Sequence, residues 1–235
     1  MTSGPAYPMP HGKPEVTSAS ERLRSGAAAL GVELDEVAVA RLETFLDELE
    51  RWNSRLNLVG EHGREALVDR HIIDSLAAAS VLAALGSGSR IADLGSGAGL
   101  PGIPLAIAVG PREMVLVEPR RKRASFLRAA RRALPEVTLT VLERRADELS
   151  ELGPATFDAV VSRASLSDEE LAVAARPLLR SGGLLIAYRG GEPSVDPGMS
   201  ASPEDGFTAA RFTAYQLAAP RRTFGLLIRE RSRFT

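Results

Sequence analysis

Arg90-Ile91-Ala92-Asp93-Leu94-Gly95-Ser96-Gly97-Ala98-Gly99-Leu100-Pro101-Gly102 sets the architecture of this chain. A short apolar run ends in an acid, enters a glycine loop, and meets a proline suited to the first turn of a helix. Glycines 95, 97 and 99 carry no β-carbon, so the backbone can close on a nucleotide-like ligand. The loop is a candidate cofactor seat. Residues 97–102 also match G-x-G-x-x-G, the weak fingerprint of a dinucleotide site. A dinucleotide loop starts its glycines at the strand end; here Asp93 and Gly95 come first, which suits S-adenosylmethionine better.

Downstream of the loop, β-rich runs alternate with helical stretches, which predicts a mostly parallel sheet with crossover helices. Strands are expected at 90–94, 114–118, 137–142, 157–162, 183–189, 211–218 and 223–229, and helices at 101–109, 120–133 and 168–180. The last two strands follow each other without a helix and predict an antiparallel hairpin at one sheet edge. Ser181-Gly182-Gly183 reads as a helix stop. Residues 190–207 are rich in Gly, Pro and Ser and read as a long loop.

Upstream, Leu42, Phe45, Leu46, Leu49, Trp52 and Leu56 recur at three- and four-residue steps, an amphipathic helix within 35–58. A second helical pattern runs over 64–85 and breaks at Gly86-Ser87-Gly88. The expected organisation is a disordered, proline-rich tail over 1–20, a helical extension over 21–88 and an α/β domain over 89–235.

The chain of 235 residues is 44% hydrophobic, enough for one sizeable core. Its 29 Lys and Arg against 30 Asp and Glu give a net charge of −1, so any nucleic-acid contact must rest on local clusters. No cysteine is present, which excludes disulfides, thiolate metal sites and a cysteine nucleophile. His11, His62 and His71 lack ligand spacing, so no metal is expected. Without a long apolar run or a signal-like start, a soluble cytoplasmic protein that does not engage a membrane is expected, working as a monomer.

In an open α/β sheet, ligands bind outside the carboxyl ends of the strands. Four such ends carry polar chemistry: Asp93 and Gly95; Glu118; Arg145 and Asp147; and Ser162 and Arg163. Glu118 lies 25 positions after Asp93 and fits an acid that accepts hydrogen bonds from ribose hydroxyls, against the bland alternative of a solvated carboxylate. Arg120-Arg121-Lys122-Arg123, continued by Arg128, Arg131 and Arg132, could meet phosphates or could be a solvated helix face. Arg221, Arg222, Arg229, Arg231 and Arg233 near the C-terminus favour the phosphate reading. His71, Asp74 and Ser75 fall within about one and a half helical turns and cannot converge as a triad, so packing or helix–helix hydrogen bonding is expected. Trp52 beside Asn53 and Asn57 reads first as a core aromatic and second as a base-stacking platform.

Trp52-Asn53 to Asn57-Leu58, Arg70-His71-Ile72-Ile73-Asp74-Ser75-Leu76, Asp93 to Pro104, Lys122-Arg123 to Phe126-Leu127 and Ser162-Arg163-Ala164 occur here in one order. Together they resemble the bacterial 16S ribosomal RNA guanine-N7 methyltransferases once called glucose-inhibited division protein B, from about residue 30 to the C-terminus. The resemblance implies a class I, Rossmann-like methyltransferase fold, S-adenosylmethionine as donor, and a guanine of the small ribosomal subunit near the decoding centre as acceptor. It implies that Gly95 and Leu100, on the loop with Asp93 and Gly97, line the methionine side of the cofactor. Glu118 would then take the ribose, Ala146 and Asp147 the adenine side, and Arg163 would be the fourth-strand arginine with a catalytic or cofactor role. Arg120, Arg121, Lys122, Arg123 and Arg189 are the expected RNA contacts. Arg189-Gly190-Gly191 stands where many members have Lys-Gly, which keeps the charge and changes the donor geometry.

The chemistry is compatible. Methylation of a pyrimidine carbon 5 proceeds through a cysteine adduct, which this chain cannot form. Methylation of exocyclic amines often uses Asp-Pro-Pro-Tyr at the fourth strand end, where this chain has Ser162-Arg163-Ala164-Ser165. Guanine N7 has an in-plane lone pair and no proton to remove, so alignment matters more than a base. A methyltransferase for a small molecule or protein, and a non-catalytic RNA-binding assembly factor on the same fold, remain as alternatives.

Overall fold

The computed structural model describes residues 18–110, 112–152, 155–163, 166–190, 206–217 and 222–232. Residues 1–17, most of the loop read at 190–207, and Ala164, Ser165, Gly191, Arg221 and Arg233 lie outside them. The element order is α1 (Ala19–Ala29), α2 (Glu36–Leu56), α3 (Arg64–Leu67), a π-helical turn (Val68–Ile72), α4 (Ile73–Ser75), a 3-10 turn (Leu76–Ala78), α5 (Ala79–Ala83) and β1 (Arg90–Leu94). Then follow α6 (Gly102–Val109), β2 (Glu113–Val117), α7 (Arg121–Ala133), β3 (Leu139–Leu142), a 3-10 segment (Ala146–Leu152), β4 (Phe157–Ser162), α8 (Asp168–Ala175), β5 (Leu179–Gly190), β6 (Arg211–Leu217) and β7 (Arg222–Glu230).

The seven strands form one sheet in the order β3-β2-β1-β4-β5-β7-β6. β1 to β5 are parallel, and β7 runs antiparallel between β5 and β6, the hairpin the sequence predicts. From β1 the chain steps outward to β2 and β3, then returns to β4 on the other side of β1. The order therefore reverses between β1 and β4, and a crevice opens above that point. Alternate residues of the central strands feed two cores: Ile91, Met114, Leu116 and Val161 face the N-terminal helices, α6 and α7, whereas Ala92, Val115, Val117 and Val160 face α8.

The N-terminal helices complete the first of these cores. Asp35 caps α2 by accepting from Ala38 N at 2.6 Å, and Asn57, at φ 45°, ends it in the left-handed region that asparagine tolerates. Phe45 and Trp52 of α2 pack on Phe126 of α7 with ring centroids 6.4 and 6.0 Å apart. The core reading of Trp52 is the one the structure shows.

Three local expectations change. Residues 18–20 are ordered rather than part of a tail: Ser18 and Glu21 form a capping box that starts α1, a helix the sequence reading omits. The 64–85 helix is interrupted, because Ile73 N–H reaches back to Val68 O across a π turn. The 168–180 helix ends at Ala175: Arg176 still takes helical angles and donates to Ala172 O, but Pro177 lacks the N–H to continue the ladder. Ser181-Gly182-Gly183 is then a bulge inside β5, where Gly182 takes φ 77° and donates to Arg231 O at 3.0 Å. Among the described residues no helix is long and apolar enough to cross a membrane, and no group of three or more His, Asp or Glu could hold a metal ion.

Candidate active site

The glycine loop is pinned to the sheet by its own backbone. Gly95 N and Ser96 N both donate to Val117 O, at 2.9 and 3.0 Å, and Gly99 N and Leu100 N both donate to Ser96 O. Asp93 sits beneath this loop, fully buried, and its Oδ2 accepts from Gly102 N at 3.1 Å. Burial pushes its carboxyl up to about 7, against the opposing pull of the Ser96 hydroxyl and the Gly102 N–H. Gly102 must be glycine for this contact: a β-carbon there would lie 2.6 Å from Asp93 Oδ2 and 2.5 Å from Leu116 Cδ2. Asp93 thus shapes the loop from below and does not line the cavity.

Glu118, one residue past β2, is also buried, but on the ligand side. Its Oε2 accepts from Gly97 N at 3.0 Å and its Oε1 from Arg120 N at 2.8 Å. Each carboxylate oxygen has a second lone pair, so these two bonds fix the carboxylate and leave acceptor capacity for a ligand diol. Gly97, at φ 54°, lets the loop pass under the Arg123 guanidinium, whose Nη1 would lie 3.3 Å from a β-carbon at that position.

Above the switch point lies a cavity of about 910 Å³. Gly95, Gly97 and Leu100 from the loop, Glu118, Arg120 and Arg123 around the start of α7, Ala146 and Asp147 after β3, and Arg163 after β4 all face it. Asp93, Arg121, Lys122 and Arg189 do not. Arg189 is committed elsewhere: its Nε donates to Asp168 Oδ1 at 2.8 Å and its Nη1 to Tyr188 O at 3.0 Å, tying β5 to the first turn of α8. Two parts of the wall escaped the sequence reading. Leu58 and Val59 enter from the helical extension, held by buried Asn53, which accepts from Val59 N at 2.9 Å and donates to Glu61 O at 3.0 Å. Val173, Ala174 and Pro177 enter from α8 and the turn after it. The Trp52-Asn53 to Asn57-Leu58 segment was the available signal for the first; nothing in the strand-end rule points to the second.

The predicted absence of a triad is visible in the bonding. Ser75 Oγ donates to His71 O at 2.6 Å, His71 Nε2 lies 2.8 Å from Glu61 Oε2, and Asp74 Oδ2 accepts from Arg163 Nη1 at 2.7 Å. Three neighbouring residues aim at three different partners. Burial, with the Arg163 charge second, holds the His71 imidazole below its ordinary range. The C-terminal arginines need correction. Arg229 is buried, lies 5.2 Å over the Phe207 ring and donates to Thr208 O, and Arg231 donates to Leu179 O. Those two are tied into the β5–β7 pairing and the segment beside it, away from the cavity. Arg128 pairs with Glu143 at 2.8 Å, Arg131 and Arg132 are exposed in the last turn of α7, and Arg120 and Arg123 at its start lie beside the cavity mouth.

The donor set fits an adenosyl ligand: an acid at the second strand end for a ribose, a β-carbon-free loop beside it, and an Ala146–Asp147 edge one strand further out. The family model for GidB, the rRNA small subunit methyltransferase G, matches residues 38–197. The ribosomal RNA small subunit methyltransferase G of Geobacter sp. (strain M21) is 39% identical over 175 residues, covering 74% of this chain and 79% of the relative. That of Geobacter sulfurreducens is 37% identical over 197 residues, covering 83% and 89%. Among solved structures, TrmN from Thermus thermophilus superposes with a TM-score of 0.52 at 17% identity, covering 70% of this chain and 53% of that one. A SAM dependent methyltransferase from Aquifex aeolicus gives 0.50 at 14%, covering 70% and 92%. These two likenesses show the fold. By its family match and by the two relatives, the chain belongs to the rRNA small subunit methyltransferase G family.

Proposed function

We propose that this chain, an S-adenosylmethionine-dependent methyltransferase, methylates N7 of a guanine in 16S ribosomal RNA of the small subunit. The observation that carries the reading is Glu118: a buried carboxylate, oriented by Gly97 N and Arg120 N, on the wall of a cavity whose mouth is flanked by Arg120 and Arg123. One residue thereby links a ribose site to a basic rim. When bound, S-adenosylmethionine supplies a methyl group on a sulfonium. Glu118 holds the ribose hydroxyls, Ala146 and Asp147 border the adenine side, and Gly95 and Leu100 border the methionine side.

Guanine N7 attacks with a lone pair that carries no proton, so the protein need not remove one; it must hold nitrogen and methyl in line. Burial of the loop and of Glu118 supplies a rigid frame for that alignment. Arg120 and Arg123 place positive charge where an RNA backbone would enter, and such contacts fix register without reading sequence. The target base reaches the cavity from a loop or by leaving its stack. An rRNA substrate supports a cytoplasmic location for the protein.

Incubation with methyl-labelled S-adenosylmethionine and unmodified small subunits or bare 16S RNA, followed by mapping of the modified nucleotide, tests this. Label at N7 of one guanine is expected. Label on protein, on a small molecule, or on no acceptor contradicts the proposal.

A further inference from the structure

The strand order places the ligand groups in a line. Ala146 and Asp147 follow β3, Glu118 follows β2 and Gly95 follows β1, so the residues that would hold adenine, ribose and methionine lie across three neighbouring strands about 4.8 Å apart. Arg163 follows β4, on the opposite side of β1 from Glu118 and the Ala146–Asp147 edge, where an acceptor would meet the methyl group. Its position there is fixed by residues far from it in sequence. Asp74 of α4 accepts from Arg163 Nη1 at 2.7 Å on one oxygen and from Tyr215 Oη of β6 at 2.5 Å on the other. Tyr215 stacks on Phe224 of β7, with centroids 5.9 Å apart and planes 22° apart. Tyr188 Oη of β5 donates to Ser75 O at 2.5 Å and accepts from Ala78 N at 3.3 Å, pinning the chain just after Asp74. Burial and the Asp74 charge push the Tyr215 hydroxyl well above the usual phenol range, so it stays a donor.

We infer that Asp74, oriented by Tyr215, is a positioning residue that holds Arg163 on the acceptor side of the cavity. The inference rests on the guanine-N7 reading above. An arginine commonly grips guanine by donating to O6 and N7 together. That grip would occupy the lone pair that must attack. With an Nη1 N–H committed to Asp74, the guanidinium is held in one orientation, and its remaining N–H groups are available to O6 or to a flanking phosphate. Asp74 also balances the guanidinium charge beside a sulfonium, which an unpaired arginine would repel.

Single-turnover methyl transfer to small subunits, at saturating S-adenosylmethionine, and cofactor affinity by calorimetry are measured on Asp74→Asn, Tyr215→Phe, Arg163→Ala and the two double variants with Arg163→Ala. Asp74→Asn should slow transfer roughly 10- to 100-fold and Tyr215→Phe about 3-fold, the scale of one charged and one weakened hydrogen bond. Cofactor affinity should stay within about twofold in both, and neither should slow the Arg163→Ala enzyme further. The inference is overturned if cofactor affinity falls as much as the rate, or if either loss persists undiminished with Arg163→Ala. Should Asp74→Asn fail to fold, the Tyr215→Phe cycle decides alone. Wild-type enzyme that labels no RNA contradicts the functional reading; wild type that labels RNA beside variants at full rate contradicts this inference only.

Discussion

On the β1–β3 side of the cavity the frame is backbone and one buried carboxylate: loop amides anchored to Val117 O and Ser96 O, with Glu118 bonded to Gly97 N and Arg120 N. On the β4 side it is Arg163, held by Asp74 from 89 residues away, which is itself bonded by Tyr215 from 141 residues away. The first side follows from one strand–loop–helix unit and the next strand. The second exists only once helical extension, central sheet and C-terminal hairpin have assembled. A backbone-built seat tolerates no added carbon, whereas a seat built from distant side chains fails when a single polar atom is removed.

Asp93 offers the largest test of the first side. Its folded-state carboxyl is raised to about 7 from 3.8, so the native state binds a proton more tightly than the unfolded chain. Its contribution is fully present below about pH 4 and is lost as pH rises through about 7. The stability difference between wild type and Asp93→Asn, from denaturant titrations, should therefore shift against wild type by on the order of 3 kcal/mol between pH 4 and 8. A pH-independent difference would mean that Asp93 is not buried under the loop.

Gly102→Ala comes next. Its β-carbon would meet Asp93 Oδ2 and Leu116 Cδ2, so a loss of about 2 kcal/mol and a lower Tm are expected. An unchanged melting curve would show that the loop can yield there. Tyr215→Phe probes the second side: removing one hydroxyl should cost about 1 kcal/mol of stability, seen as a smaller drop in Tm. Arg123→Ala has the smallest effect. It should weaken RNA binding almost uniformly and lower the slope of log affinity against log salt by about 1. An unaltered slope would remove Arg123 from the RNA-facing rim.

The same contrast explains what was legible in the sequence. The glycine loop and Glu118 could be placed because a strand, its loop and the next strand end sit at fixed spacing. Alternation of β-rich runs with helical stretches, and the helix-free link before 223–229, likewise pointed to the parallel sheet and its hairpin. Asp74 could be excluded from a triad by helical spacing, but no local pattern names Tyr215 as its partner. Arg189, Arg229 and Arg231 read as free charge because nothing adjacent in sequence shows Asp168, Phe207 or Leu179 O beside them. The helix read through 180 overran because Ser181-Gly182-Gly183 reads as its stop although Pro177 already ends it, and α1 was missed because its start signal, Ser18 with Glu21, followed a proline-rich run.

The division of labour across β1 is tested most directly by crossing Glu118→Ala with Arg163→Ala in two assays: cofactor affinity by calorimetry, and single-turnover transfer to unmodified small subunits at saturating S-adenosylmethionine. Glu118→Ala should weaken cofactor binding about 100-fold, with much of its transfer rate recovered at saturation; Arg163→Ala should leave affinity within about twofold and lose rate that no cofactor concentration restores. Equal losses of affinity in both variants, with both rates recovered at saturation, would contradict the account.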